Sequence, residues 1–262
     1  MKIVEFFGLP FSGKTAIVER IKLINNSKNF TNYRELCIFY IYKKKKISYI
    51  DYFYWLDRER KREVSHKKNY LTQQKKNTNF FKDIIKVFLP NKDILLTNID
   101  YLFYGYEEKH KNLIIFLRHL SLKYKAPKEF KLIFDWLKFM IIGYELKKKY
   151  SNKIILNSEG FCQLLLSIIT RIDINKEEIE KLINLIPKVD NLFILISKDT
   201  KLINIENYIQ TKCPNFYYNK NFIKKYFFII RCLIKKNNSK VFHYKADKKN
   251  YISKKISMIL DI

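Results

Sequence analysis

Hydrophobic and polar residues along this chain follow two periods, and the change from one period to the other predicts alternating strands and helices. An apolar, β-rich run from Lys2 to Phe7 predicts the first strand. A helix is predicted shortly after it, because apolar residues recur there at helical spacing without Gly or Pro, at Ala16, Ile17, Val18, Ile21 and Ile24. Only residues 8–15 lie between this strand and this helix.

The next part of the pattern favours a β-hairpin. A run of apolar and aromatic residues from Leu36 to Tyr42 predicts a second strand, and Ile47 to Ile50 predicts a shorter β-like piece. Four consecutive lysines, Lys43 to Lys46, separate the two pieces.

Between Asp51 and Tyr150 the pattern changes to long, Lys-rich stretches with few breakers, chiefly Pro90 and Pro127. Apolar residues at three- and four-residue spacing predict amphipathic helices near 54–74, 80–89, 111–124 and 129–149. About a hundred residues of helix exceed a normal crossover between strands. We therefore predict a helical insertion or subdomain over 51–150, between core segments 1–50 and 151–262.

The remaining pattern alternates strands with helices. Strands are predicted at 153–157, 191–197 and 240–244, and helices at 161–171, 176–186, 201–211, 219–236 and 248–260. The continuous apolar residues of 192–196 are typical of an interior parallel strand. The expected fold is α/β, a three-layer arrangement with a parallel sheet between helices on both faces and a helical insertion.

The residues between the first strand and helix carry the clearest chemical signal. Gly8-Leu9-Pro10-Phe11-Ser12-Gly13-Lys14-Thr15 matches the phosphate-binding pattern G-x-x-x-x-G-K-[ST] at every fixed position. Glycines let successive backbone N–H groups converge on phosphate oxygens at the positive end of the following helix. Lys14 is then predicted to reach the β- and γ-phosphates and Thr15 to hold Mg²⁺. The alternative is a chance match in an ordinary turn.

Glu159 is the leading candidate for the acidic group that such a site needs at the end of a neighbouring strand, to hold Mg²⁺ through water or to orient the attacking group. It follows the predicted 153–157 strand and Ser158, and precedes Gly160, whose missing side chain would allow close approach of a ligand phosphate. Asn157 or Ser158 stands where an Asp is usual. Alternatively, Glu159 only caps the helix that begins at Phe161.

The chain resembles P-loop kinases of the nucleoside monophosphate kinase and thymidylate kinase type in its Gly8–Thr15 loop and its later strand ending in Glu159-Gly160. The segment Ile154–Gln163 is similar, more narrowly, to P-loop kinase-like proteins of bacterial surface-polysaccharide gene clusters. The resemblance implies an ATP- and Mg²⁺-dependent kinase. Such kinases usually carry arginines in a lid after the 191–197 strand, where this chain has Lys198-Asp199-Thr200-Lys201 and no Arg before Arg231. Lysines supply charge there without the bidentate fork of arginine.

Charge widens the range of partners. The chain has 262 residues, with 52 basic and 25 acidic residues and a net charge of +27, which favours nucleotides, nucleic acid or a membrane surface. Its richness in Lys, Asn and Ile together is also the mark of A+T-rich coding, which we favour as the source of most lysines. The four cysteines lie far apart, which argues against zinc and disulfide frameworks.

The predicted function is phosphoryl transfer from ATP to an anionic or hydroxyl-bearing small molecule, with Lys14 and Glu159 as the catalytic residues. One alternative is a P-loop ATPase that acts as a switch or assembly factor; a GTPase is disfavoured because N-K-x-D is absent near Ser197. The other is a basic binder of nucleic acid or a membrane surface. No specific nucleic acid is expected, and the charge allows peripheral membrane association.

Several other charged residues are weaker candidates for function. Arg118 and Arg171 are weak candidates for binding an acceptor phosphate, and the charge run 57–63 is better explained as a solvated helix face.

The N-terminus enters a strand directly and no apolar run reaches about 18 residues without a charge, so we expect a cytoplasmic protein.

Overall fold

Five parallel strands form a single sheet at the centre of the protein. The computed structural model describes residues 2–9, 12–25, 30–65, 92–150, 154–197, 220–237, 239–245 and 248–260. The strands are β1 (Ile3–Phe7), β2 (Phe30–Thr31), β3 (Ile154–Asn157), β4 (Asn191–Ser197) and β5 (Ser239–Tyr244). Their order across the sheet is β2-β3-β1-β4-β5, and every pairing is parallel.

Helices connect and cover the strands. They are α1 (Lys14–Ile24), α2 (Tyr33–Lys43), α3 (Tyr49–Ser65), α4 (Lys92–Glu107), α5 (Lys111–Lys123), α6 (Pro127–Leu146), α7 (Phe161–Ile169), α8 (Lys176–Leu185), α9 (Lys220–Lys236) and α10 (Lys249–Leu260). Short 3₁₀ turns follow α4 at Glu108–His110 and α6 at Lys147–Lys149. The α/β class and the parallel sheet between helices are as predicted.

The central strand β1 is buried on both faces, and its alternating side chains enter two different cores. Val4 and Phe6 pack with residues of α1 and α10, whereas Ile3 and Phe7 pack with the larger cluster that contains α2, α6, α7 and α9. Because side chains alternate along a strand, Glu5 projects into this larger cluster and is fully buried there.

The predicted hairpin over 36–50 is wrong. Residues 33–43 form α2, residues 44–48 form a turn, and α3 begins at Tyr49. A capping box starts α2: Asn32 Oδ1 accepts a hydrogen bond from Glu35 N at 2.8 Å, and Asn32 N donates to Glu35 Oε2 at 3.2 Å. The apolar run fits a helix that is buried along most of its length, a case in which periodicity does not separate helix from strand.

Most other predicted elements are confirmed with small shifts of their ends. This holds for strands 153–157, 191–197 and 240–244 and for helices 111–124, 129–149, 161–171, 176–186, 219–236 and 248–260. Residues 54–65 of the predicted 54–74 helix belong to α3, which begins five residues earlier, and residues 66–74 lie outside the described part of the chain. Predicted helices 80–89 and 201–211 lie outside the described residues. The two-residue strand β2 and the separate helix α4 are additions that the pattern did not predict.

The helices between α3 and β3 pack into the same apolar cluster as one face of the sheet. Helix α6 crosses α2 so closely that a Cβ on Gly143 would lie 2.6 to 2.9 Å from three atoms of Tyr33. Because Gly143 has no side chain, Tyr33, the first residue of α2, can pack this closely against α6. Over the described part of the chain, no helix combines the length and apolar character needed to cross a membrane.

Candidate functional site

The candidate site lies at the carboxyl ends of β1 and β3. The chain leaves β1 toward β2 and β3 on one side and later continues to β4 and β5 on the other, so the strand order reverses beside β1. Ligands of parallel α/β sheets bind in the crevice at such a point. The Gly8–Thr15 loop follows β1 directly and therefore lies at this crevice.

The loop folds back on itself around the side chain of Lys14. Its Nζ donates hydrogen bonds to the carbonyl oxygens of Gly8 at 2.7 Å and Leu9 at 3.0 Å, and Ser12 N donates to Leu9 O at 3.1 Å. Gly13, at the start of α1, has φ 75° and ψ 14°, a left-handed conformation that glycine adopts without strain. Pro10 and Phe11 of the predicted phosphate-binding set lie outside the described residues.

Gly8 is required by crowding of the backbone. A Cβ at this position would lie 2.6 Å from the carbonyl oxygen of Leu195 on β4 and 2.7 Å from Ser12 Oγ. The loop therefore passes directly against the neighbouring strand. Both fixed glycines of the sequence pattern thus have a local structural reason, Gly8 a steric one and Gly13 a conformational one.

The electrostatic state of Lys14 suits an anionic ligand. Burial lowers the pKa of the Lys14 ammonium to about 8, while the carboxylate of Glu159 acts in the opposite direction. A phosphate group placed next to this ammonium would favour its charged form. The site therefore holds a cation that gains from the arrival of an anion.

Glu159 is exposed and lies in the turn between β3 and α7. Together with Thr15, Asn157 and Ser158 it lines one side of an open cleft. The structure thus brings the loop residue Thr15 and the predicted acidic residue Glu159 to the same cleft.

Asn157 is the last residue of β3 and is only 7% exposed. Its Nδ2 atom is buried in the cleft lining without a hydrogen-bond partner. A buried amide donor that lacks a partner in the protein is costly unless a water or a ligand oxygen accepts its hydrogen bond. Asn157 therefore offers the cleft a hydrogen-bond donor.

The sequence analysis did not identify Glu5, a buried carboxylate that binds residues of both α2 and α7. It accepts hydrogen bonds from Tyr33 Oη at 3.0 Å, Phe161 N at 3.0 Å and Cys162 N at 2.9 Å. Burial raises the pKa of the Glu5 carboxyl, against these hydrogen bonds, which lower it. Glu5 therefore serves as the N-terminal cap of α7, the role considered above for Glu159.

The contacts of Glu5 also correct the expectation for Gly160. A Cβ at this position would overlap the Glu5 carboxyl group. The missing side chain of Gly160 makes room for a carboxylate of the protein itself, and the close approach of a ligand phosphate is not its reason.

The opposite wall of the cleft comes from α2, α3 and α6. It contains the aromatic residues Tyr33, Trp136 and Phe139 together with Asn32, Arg34, Glu59 and Met140. Arg34 stacks over the Phe139 ring at 4.5 Å and pairs with Glu59 at 3.5 Å. Among the described residues, neither Arg118 nor Arg171 lines this cleft; Arg118 is exposed, and Arg171 bonds to Ser167 O at 2.7 Å.

Arg34 was overlooked because the run that follows it was interpreted as a strand. The sequence does hold a signal, Asn32-Tyr33-Arg34-Glu35, whose Asn and Glu are spaced as in a capping box and place Arg34 in the first turn of a helix. Trp136 and Phe139 have no such signal, because their spacing matches that of core residues of an amphipathic helix.

The site has the donors for an ion that arrives with a ligand. Within the described ranges there is no group of three or more His, Cys, Asp or Glu side chains that could hold a metal ion by itself. The hydroxyl of Thr15 and the carboxylate of Glu159 line one cleft, and both are oxygen donors of the kind that Mg²⁺ prefers. Comparisons of this chain with family models, curated proteins and solved structures give no match.

Proposed function

We propose that this protein is an ATP- and Mg²⁺-dependent P-loop kinase that phosphorylates a small molecule. One observation carries the proposal: Lys14 Nζ is folded onto the carbonyl oxygens of Gly8 and Leu9, at the point where the strand order of a parallel sheet reverses. A lysine held over a glycine-containing loop at the start of a helix is the arrangement that phosphate binding requires.

The loop would bind the β- and γ-phosphates of the nucleotide. Backbone N–H groups and the positive end of α1 attract the phosphate oxygens, and Lys14 exchanges its two carbonyl partners for them. Burial lowers the pKa of Lys14 to about 8, and a phosphate next to the ammonium would stabilise its charged form. Asn157 Nδ2 supplies a further hydrogen bond to an oxygen of the ligand.

Magnesium would be shared between the protein and the nucleotide. Thr15 would supply a hydroxyl ligand, and the Glu159 carboxylate would hold the ion through water. Because the last residue of β3 is Asn157 and not an acidic residue, the protein itself would contribute little negative charge there.

The acceptor would occupy the aromatic side of the cleft. Its hydroxyl oxygen attacks the γ-phosphorus, the bond between that phosphorus and the β,γ-bridging oxygen breaks, and ADP leaves. Glu159 takes the hydroxyl proton, and Arg34 and Lys14 stabilise the charge on the transferring group. The presence of a walled cleft beside Thr15 favours transfer to a small molecule over a nucleotide-operated switch, which has no use for such a pocket.

Nucleotide binding is the first test. ATP with Mg²⁺ should raise the melting temperature, because a ligand that binds only the folded state stabilises it. Lys14→Ala should abolish this shift, whereas Arg20→Ala, which removes an exposed cation from the same helix, should keep it. An undiminished shift in the Lys14 variant would mean that the nucleotide binds elsewhere. ADP release stimulated by added hydroxyl compounds then separates a kinase from a simple ATPase.

A further inference from the structure

A second surface, at the far end of α2, combines exposed lysines with exposed apolar side chains. Lys43 to Lys46 close α2 and form the turn into α3, and all four are exposed. Across the described residues, no ion pair joins any of these four to a carboxylate. Within this turn Lys45 has a left-handed backbone with φ 55°.

Apolar side chains follow directly in the first turns of α3. Tyr49 is 62% exposed, Ile50 75% and Phe53 46%. The rings of Tyr49 and Phe53 pack edge-on at 4.4 Å, and Phe53 also packs against Tyr52, which stacks on Tyr42 at 4.5 Å. Tyr49 and Phe53 are thus part of an aromatic cluster, next to the exposed Ile50.

The same surface continues to the end of α6. Lys149 donates hydrogen bonds to the hydroxyls of Tyr40 and Tyr106, both at 3.4 Å, and these bonds raise the pKa of its ammonium. Lys43 and Lys44 lie over the rings of Phe39 and Tyr40. We call this region, formed by Lys43–Lys46, Tyr49, Ile50, Phe53 and Lys149, the basic aromatic surface.

Neighbouring carboxylates are engaged in other contacts. Asp51 accepts hydrogen bonds from Ser48, Glu145 pairs with Lys109 and His110, and Glu108 pairs with Lys111. The surface therefore has a net positive charge at neutral pH, next to apolar groups that water solvates poorly.

We propose that the basic aromatic surface docks on an anionic phospholipid membrane. Lysines attract acidic headgroups, while an exposed Ile, Phe and Tyr next to them can enter the headgroup boundary. Single-stranded nucleic acid also binds basic aromatic surfaces, but it stacks bases on free ring faces. Here Tyr42 and Tyr52 stack on each other, and the most exposed apolar side chain is Ile50, which offers no ring.

Docking of this kind would leave the candidate site accessible. Tyr33, at the first turn of α2, lines the cleft, and Lys43 is the last residue of the same helix. Eleven residues of helix span about 16 Å, so the two sites lie at opposite ends of a rigid rod. The inference is therefore independent of the proposed kinase activity and goes beyond it.

Sedimentation with vesicles tests the proposal. The full chain should bind vesicles made of equal parts phosphatidylcholine and phosphatidylglycerol and should ignore pure phosphatidylcholine. Changing Lys43, Lys44, Lys45 and Lys46 together to Gln should weaken binding at least about 30-fold, given the contribution of each lysine near an anionic surface. Ile50→Ser combined with Phe53→Ser should weaken binding about 10-fold, and this loss should persist at high salt.

A matched control separates this surface from the general charge of the chain. Changing Lys125, Lys128, Lys131 and Lys188 together to Gln removes the same charge from exposed positions elsewhere, and Lys125, like Lys45, has a left-handed backbone. This variant should bind the acidic vesicles within about twofold of the wild type. The melting temperature and its shift with ATP should be unchanged in all three variants if they are folded.

Two results would overturn the proposal. One is an equal loss of vesicle binding in both four-lysine variants, which would make the attraction a property of the overall charge. The other is tight binding of single-stranded DNA that depends on Lys43–Lys46 while acidic vesicles are not bound, which would assign the surface to nucleic acid.

Discussion

Helices α1 and α7 begin at the same edge of the sheet, but they differ in the hydrogen-bond partners of their first backbone N–H groups. At α7, the buried carboxylate of Glu5 accepts hydrogen bonds from Phe161 N and Cys162 N. At α1, the helix begins at Gly13 with no side-chain cap and has no acidic residue in its first turn. The protein thus supplies its own carboxylate at the start of α7 and none at the start of α1, which is where the proposed phosphate would bind.

This difference agrees with the proposal that a phosphate binds at the start of α1. Helix α2 begins near the same cleft and is also capped from within, by Asn32 and Glu35. Of these three helix starts, α1 alone combines an uncapped beginning with a lysine side chain folded across its loop.

The largest effect is expected at Gly160. Gly160→Ala would place a methyl group inside the Glu5 carboxyl, displace it from both N–H groups of α7 and destabilise the fold by about 3 kcal/mol. Urea unfolding followed by circular dichroism measures this loss. Gly105→Ala is the control, because a Cβ there has no atom within 4 Å and the position is helical, so stability should rise by up to about 1 kcal/mol. Equal behaviour of the two variants would disprove the packing argument.

The next largest effect is expected for a substitution of Glu159, which should change the rate of turnover and leave stability nearly unchanged. Glu159→Gln should lower the rate of phosphoryl transfer by roughly 10²-fold, the scale of a lost general base. Because Glu5 already caps α7 and Glu159 is exposed, the free energy of unfolding should change by less than about 0.5 kcal/mol. Steady-state kinetics and urea titration on one preparation check both halves. A stable variant that keeps full turnover would remove Glu159 from the mechanism.

Glu5 itself should show an intermediate effect with a distinctive pH dependence. Glu5→Gln weakens three buried hydrogen bonds and should cost about 2 kcal/mol. Burial raises the pKa of the Glu5 carboxyl above its ordinary value of 4.5, so the folded state binds the proton more tightly than the unfolded state. The contribution of Glu5 is therefore fully present below 4.5 and decreases as the pH rises.

The cost of Glu5→Gln should accordingly be largest in acid and smaller at neutral pH. Unfolding of wild type and variant across a pH series gives this difference directly. Gln163→Ala, on the same helix, serves as the comparison without an ionisable group and should show a cost that does not vary with pH.

The smallest effect is the pH dependence of nucleotide affinity. The pKa of Lys14 is about 8 without ligand, and a bound phosphate would raise it, so affinity for ATP with Mg²⁺ should fall as the pH rises through 8. The fall should be about fivefold over the first pH unit above that value. Isothermal titration calorimetry measures it. Lys14→Arg keeps its charge over this range, so whatever affinity it retains should be flat with pH.

The sequence allowed prediction of those parts of the molecule in which neighbouring residues act together. The Gly8–Thr15 pattern specifies the loop because its glycines are needed locally, by the turn at Gly13 and by the contact of Gly8 with Ser12. The long amphipathic helices and the apolar strand β4 were predictable for the same reason, since each repeats one period over several turns or residues.

Features built by distant residues were not predictable in this way. The bonds of Glu5 to α7 join residues 156 and 157 positions apart, and no local pattern indicates that an acidic residue in an apolar strand caps a remote helix. Helix α2 was mistaken for a strand because nearly all of its positions are apolar or aromatic and many are buried, which erases the amphipathic period. The cleft wall of Trp136 and Phe139 depends on the crossing of α6 over α2, which only the fold defines.

The close contact between Tyr33 and Gly143 has a mechanical consequence. The Tyr33 side chain touches α6 and also donates its hydroxyl to Glu5, which holds α7. Tyr33 therefore links the aromatic side of the cleft to Glu5 and, through Glu5, to the first turn of α7. A movement that opens the cleft between α6 and α7 must either break one of these contacts of Tyr33 or carry α2 and Glu5 along with it.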